Sequence, residues 1–207
     1  MSQATPSSNL IPVPNLRTYF HQALREAAET QRIRADEGIL AYLTELLTDY
    51  ARSERLFDHT TDGMVRRPLV ELYRQAQAAD SREERGLTLR RLGDLALFVS
   101  GILPHSLDRS LVGLDYYIAM GSSAYGSLCD SGGGGARMRT LRAVFAQLSG
   151  RFVEFVDLIT EAVESGQEDR PPDLIRLHEL WAKTRSRRLA RKLLAYGVMP
   201  QRAPAIH

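Results

Sequence analysis

Apolar residues recur at three- and four-residue steps along almost the whole chain, the spacing that lines one buried face of an α-helix. Leu16, Tyr19, Phe20, Ala23, Leu24 and Ala27 open the pattern after Pro14, and Ile39, Leu43, Leu46, Leu47, Tyr50 and Phe57 repeat it. The polar stretch DHTTDG follows as a loop, and Pro68 suits the first turn of a short third helix carrying Leu69, Leu72, Tyr73 and Ala76. In SREE, Glu84 stands three residues after Ser81, the spacing of a capping box, which predicts the start of a fourth helix. That helix carries Leu92, Leu95, Ala96 and Val99 and stops near Pro104.

A fifth helix follows PHSLDR, with Leu111, Leu114, Ile118, Gly121, Tyr125 and Leu128 on one stripe and Tyr116, Tyr117, Met120 and Ala124 on other sides. Four consecutive glycines, Gly132 to Gly135, must end it, because each costs about 1 kcal/mol relative to alanine inside a helix. Beyond them Met138, Leu141, Phe145, Leu148, Phe152, Phe155, Ile159 and Val163 predict one long helix ending at Gly166. After RPPD, a last helix carries Leu174, Leu177, Trp181, Leu189, Leu193 and Tyr196, with Gly197 and Pro200 as its stop. No alternating strand pattern competes. The fold expected is all-α, a bundle of about seven helices with a glycine-rich interhelix linker. Residues 1–14 read as a disordered lead-in, 15–199 as a single helical domain and 200–207 as a tail.

Composition changes this picture little. The chain has 207 residues, 43% hydrophobic and 25% charged, with a formal net charge of +2, as expected of an ordinary globular protein. Cys129 is the sole cysteine, which leaves no intramolecular disulfide and favours a reducing compartment. The N-terminus lacks the basic start and apolar core of a secretory signal, and the greasiest run, Leu95 to Leu103, falls short of the roughly 20 residues a membrane span needs. The expected location is the cytoplasm, with no membrane span.

Candidate chemistry is sparse. The segment DYYIAMGSSAYGSL, Asp115 to Leu128, carries a single charge in a chain otherwise rich in them. Its small residues Gly121, Ser122, Ser123, Ala124 and Gly126 suit close backbone approach, so it reads first as a central core helix, second as a homodimer seam and third as a pocket wall. Asp94, flanked by apolar residues in LGDLALF, and Asp115 are the acids with a prospect of burial. Both read as partners of an arginine or of tyrosine hydroxyls before they read as a ligand site. The histidines are scattered without the spacing of a helical metal site, the His105–Asp108 pair is too few ligands, and the glycine run lacks the lysine-hydroxyl ending of a phosphate loop. No metal and no cofactor is implied.

The stretch KTRSRRLARK, Lys183 to Lys192, is strongly basic. Projected as one continuous helix, it places Lys183, Arg187 and Arg191 on an outer basic surface and Arg185 between Trp181 and Leu189 on the packed face. Arg185 is therefore expected to cross a helix interface to Asp94 or Asp115. The leading functional expectation is a non-catalytic helical protein-interaction or adaptor protein, open to self-association. The alternative is a small-molecule sensor or enzyme using Asp94, Asp115, Tyr116, Tyr117 and Arg185. Weak nucleic-acid binding through the basic C-terminal helix ranks third, since no recognition motif accompanies the charge.

Overall fold

The structure, a computed structural model, describes residues 16–52, 69–102, 113–130, 136–164 and 173–200. Nine helices and no strand occur among the described residues: α1 Leu16–Gln31, α2 Glu37–Arg52, α3 Leu69–Ala78, α4 Arg82–Ile102, α5 Leu114–Asp130, α6 Ala136–Gly150, α7 Phe152–Glu164, α8 Leu174–Thr184 and α9 Arg187–Ala195. The expected lead-in, the DHTTDG loop, the His105–Asp108 pair and the glycine run lie outside the described residues, as does the tail beyond Pro200.

The all-α expectation holds, and the difference between about seven helices and nine has two local causes. The predicted long helix from Met138 bends at Arg151, which separates α6 from α7. Its backbone ladder nearly continues through the bend, because Arg151 N–H donates to Gln147 O at 2.9 Å and Phe155 N–H donates to Arg151 O at 3.2 Å. The last predicted helix breaks outright. Arg185 adopts left-handed backbone at φ 56° and ψ 27°, and the Ser186 hydroxyl caps a new helix by accepting from Leu189 N–H at 3.0 Å.

Other ends follow their sequence signals. Ser81 Oγ accepts from Glu84 N–H at 3.1 Å while Glu84 Oε2 reaches back to Asp80 N–H at 3.2 Å, a capping box displaced by one residue on its return arm. At Gly197, φ 76°, Gly197 N–H donates to Leu194 O and Val198 N–H to Leu193 O, the paired bonds of a Schellman stop.

Helix α4 is the axis of the bundle: it packs most extensively on α5 and also on α3 and α7, while α1 lies against α2 and α7. Close approach of α4 to α5 depends on glycine. A Cβ at Gly93 would lie 2.8 Å from the Tyr125 ring, and one at Gly121 would run into Phe152 and sit 2.9 Å from Ala96 Cβ. The sparsely charged fifth helix is thus a core element, burying Leu114, Tyr117, Gly121, Ala124, Tyr125 and Leu128. Ile118, placed on the main stripe by projection, is only half-buried, and Tyr117 takes the inner position.

The two glycine environments on α4 give opposite expectations. Gly93→Ala should destabilise the chain by about 1–3 kcal/mol, since the rigid Tyr125 ring has to move. Gly86→Ala, whose Cβ would meet only Leu128 Cδ2 at 3.9 Å, should stabilise it by up to about 1 kcal/mol through helix propensity. Thermal melting of both variants checks this; a stabilising Gly93→Ala would contradict the tight α4–α5 contact.

Candidate functional site

Asp94 projects from α4 toward α2 and α5, where two tyrosine hydroxyls converge on the same oxygen. Tyr42 donates to Asp94 Oδ1 at 2.5 Å and Tyr125 donates to it at 2.7 Å. Arg90, one turn earlier on α4, places Nε 3.6 Å from Asp94 Oδ2 and donates to the Tyr42 hydroxyl at 3.3 Å, with its guanidinium 5.2 Å from the centre of the Tyr42 ring. The Asp94 side chain is 19% exposed, so the cluster closes inward and opens narrowly to solvent beside Arg90.

Burial raises the Asp94 carboxyl above the usual carboxylate range, opposed by the two hydroxyls and then by Arg90. Burial, reinforced by the Asp94 charge, likewise pushes Tyr42 and Tyr125 far above ordinary phenols, which keeps both as protonated donors. Aromatic packing holds the geometry. The Tyr125 ring stacks on Phe145 at 5.7 Å between centroids and tilts against Phe152 at 6.2 Å, and Tyr42 meets Phe145 edge-on at 5.8 Å.

The other predicted residues do not join this cluster. Asp115 is exposed in the first turn of α5, a position that favours an acid through the helix dipole. Tyr116 is half-buried and meets the buried Tyr117 edge-on at 5.9 Å. Arg185 corrects the expected interhelix pairing: it is exposed and stacks over Trp181 at 4.6 Å, reaching neither Asp94 nor Asp115. Projection failed because one helix ends at a left-handed Arg185 and a new one starts after Ser186. Lys183, Arg187 and Arg191 are exposed, and Arg191 Nη1 donates to Thr30 O at 3.4 Å, which sets α9 beside the end of α1. Cys129 donates its thiol to Tyr125 O at 3.2 Å, and burial raises its pKa, away from reactivity.

The arginine that turns inward after the break is Arg188, which is 9% exposed. Its Nε donates to Glu161 Oε2 at 2.7 Å, and its Nη2 donates to Glu164. Beside it the Ser186 hydroxyl lies 2.8 and 2.7 Å from the two Asp157 oxygens, so the capping residue of α9 also ties that helix to α7. Gln31 extends the tie to α1 by donating to Asp157 O at 3.0 Å. Asp157 is 7% exposed, and burial pushes its carboxyl up to about 6 despite the Ser186 hydroxyl and Arg188. This network escaped sequence reasoning, although FVDLIT offers the same signal as LGDLALF: an acid flanked on both sides by apolar residues.

A second feature escaped it entirely. The turn between α1 and α2 borders a surface groove of about 390 Å³. Ala28, Ile33, Ala35 and Leu40 supply its apolar lining, and Arg25, Arg32 and Arg34 border it together with Glu29 and Glu37. Glu37 lies 3.5 Å from His21 Nε2; the three arginine side chains have no hydrogen-bond or ion-pair partner among the described residues. The turn itself is fixed. Arg32 N–H donates to Glu29 O and Ile33 N–H to Ala28 O, Arg151 Nη1 donates to Arg34 O at 2.7 Å, and Asp36 accepts from Ile39 N–H at 2.9 Å and from Gln147 Nε2 at 2.8 Å. No group of three or more potential metal ligands occurs among the described residues, and no described helix is long and apolar enough to cross a membrane.

The two acid networks make different demands. Asp94→Ala strands two buried hydroxyls and should cost on the order of 3 kcal/mol, whereas Asp94→Asn retains an oxygen that can accept from both tyrosines and should cost distinctly less. Denaturant unfolding compares them, and equal losses would remove the hydroxyl network as the cause. For Asp157, a folded pKa of about 6 against the ordinary aspartate value of 3.8 means that protonation favours the folded state. Its contribution is fully present below 3.8 and is lost as pH rises through 6. The stability of the natural chain relative to Asp157→Asn should therefore rise by about 1 kcal/mol between about pH 7 and pH 5. A fall over that interval, measured by denaturant titration, would show that burial does not dominate at Asp157.

Comparison with protein-family models, with curated proteins and with solved structures yields no match.

Proposed function

We propose that this chain is a non-catalytic helical interaction or adaptor protein that engages its partner at the groove beside the α1–α2 turn. The observation that carries the reading is the combination in one groove of an apolar lining and three bordering arginines, Arg25 on α1 and Arg32 and Arg34 on the hydrogen-bonded turn after it. Apolar surface supplies affinity, arginine supplies directional contacts to acidic or carbonyl groups, and a fixed backbone lowers the ordering cost of binding. The Asp94 cluster supports a cohesive role more directly than a ligand-binding one, because both tyrosine hydroxyls already donate to its carboxylate.

Affinity capture by the full chain from nuclease-treated lysate, set beside capture by an Arg25→Glu/Arg32→Glu/Arg34→Glu variant, tests the reading. A protein retained by the natural chain and lost by an equally stable variant is the expected result; light scattering identifies the case in which that partner is a second copy. Equal retention by both chains would remove the groove from the interaction. A small-molecule thermal shift abolished by Asp94→Asn, but intact in the groove variant, would instead support the sensor or enzyme reading.

A further inference from the structure

We infer that the groove receives an acidic segment of a protein partner, its carboxylates spaced about 10 Å apart around an apolar side chain; this inference rests on the interaction reading above. The spacing comes from the bordering arginines. Arg25 and Arg32 are seven residues apart along α1 and its end, a separation of about 10 Å at the helical rise per residue. Two carboxylates at that spacing give each guanidinium its own bidentate partner. An extended segment covers the distance in about three residues and a helical one in about two turns, and either can lower an intervening apolar side chain toward the half-buried Ile33 and Ala35, beneath which Ala28 and Leu40 are buried.

The glutamates of the groove narrow the choice further. Glu29 stands between Arg25 and Arg32 in sequence, and Glu37 borders the same groove, so the charges along the chain do not form a continuous basic track. A nucleic-acid backbone carries a phosphate at every step and would set like charge against Glu29. A peptide can place its acids at the arginines and leave uncharged residues opposite the glutamate. Peptide chemistry fits the alternation better.

Arg32 offers an unusually clean test. It occupies left-handed backbone at φ 56°, in the position after α1 where its N–H and that of Ile33 make the paired bonds of a Schellman stop. Glycine adopts that backbone with no side-chain strain, so Arg32→Gly removes the guanidinium while keeping the turn. Loss of binding in this variant reports on the side chain.

A displayed library of random peptides roughly 12 residues long, selected on the folded full chain, supplies the probe; a length of this order exceeds the separation of about 10 Å in either conformation. The enriched sequences should carry two acids at extended or helical spacing with an aliphatic or aromatic residue between them. A fluorescein-labelled consensus peptide should lose about tenfold in affinity when its acids become glutamine, and severalfold on Arg32→Gly, with the melting temperature unchanged or raised. Inorganic phosphate and an oligothymidine at equal charge concentration should displace it poorly. Enrichment of basic or uncharged sequences, binding indifferent to the glutamine exchange or to Arg32→Gly, or equal displacement by phosphate or oligothymidine would each overturn the assignment. No enrichment, together with groove-dependent capture of a native protein, would overturn the acidic segment while leaving the interaction reading standing; failure of both experiments would overturn both.

Discussion

A fully buried tyrosine must find an acceptor for its hydroxyl, and at Tyr125 that requirement determines how five helices meet. The ring comes from α5, rests over the backbone of α4 at Gly93, and packs against Phe145 of α6 and Phe152 of α7. Its hydroxyl ends on Asp94, the residue after that glycine, and shares the carboxylate oxygen with Tyr42 of α2. Gly93 and Asp94 act as one unit: the first admits the ring and the second satisfies its polar tip. A carboxylate in such a place is costly, as its raised pKa records, and the hydroxyls offset that cost only when both rings are seated. Polar satisfaction and apolar packing therefore select the same register of α4 against α5.

The second buried acid repeats this logic with different partners. Asp157 meets a hydroxyl from Ser186, and that same hydroxyl starts α9 by accepting from Leu189 N–H. Helix initiation and helix docking are thus coupled through one side chain. Arg188 then turns toward Glu161 and Glu164 on the same face of α7. Breaking one partner of such a set leaves a buried charge without compensation, so the network specifies where α9 docks more than it adds net stability.

Hydrophobic spacing revealed the helices because helical amphipathicity is written every three or four residues, and Asp94 was legible as an acid whose neighbours demand burial. The breaks were not legible in the same way. Arg185 is neither glycine nor proline, and only its left-handed backbone shows that the phase of the apolar stripe resets at Ser186. With Arg185 and Ser186 outside both helices, the spacing that projects through a continuous helix no longer holds, and Arg188 takes the inward position instead of Arg185. Asp115 was drawn into the candidate site as the sole charge of an otherwise uncharged segment, yet it is exposed in the first turn of α5. The arginine-bordered groove gave no periodic signal, because it arises where a turn folds across the ends of two helices.

The arginines divide by what they touch. Arg90, Arg151 and Arg188 each meet acids or carbonyls of the chain, and their cost of ordering is offset by the helices they align. Arg25, Arg32 and Arg34 have no such partners among the described residues, although Glu29 and Glu37 border the same groove. Helix-dipole attraction accounts for a basic residue near the end of α1, and is worth at most about 1 kcal/mol at an exposed site. It supplies no reason for Arg32 to occupy backbone that suits glycine better, nor for Arg34 to stand on a turn whose carbonyl is held by Arg151. Stability of the bundle explains the first set of arginines; the second set, unpaired among the described residues, is the one for which an outside acid is proposed.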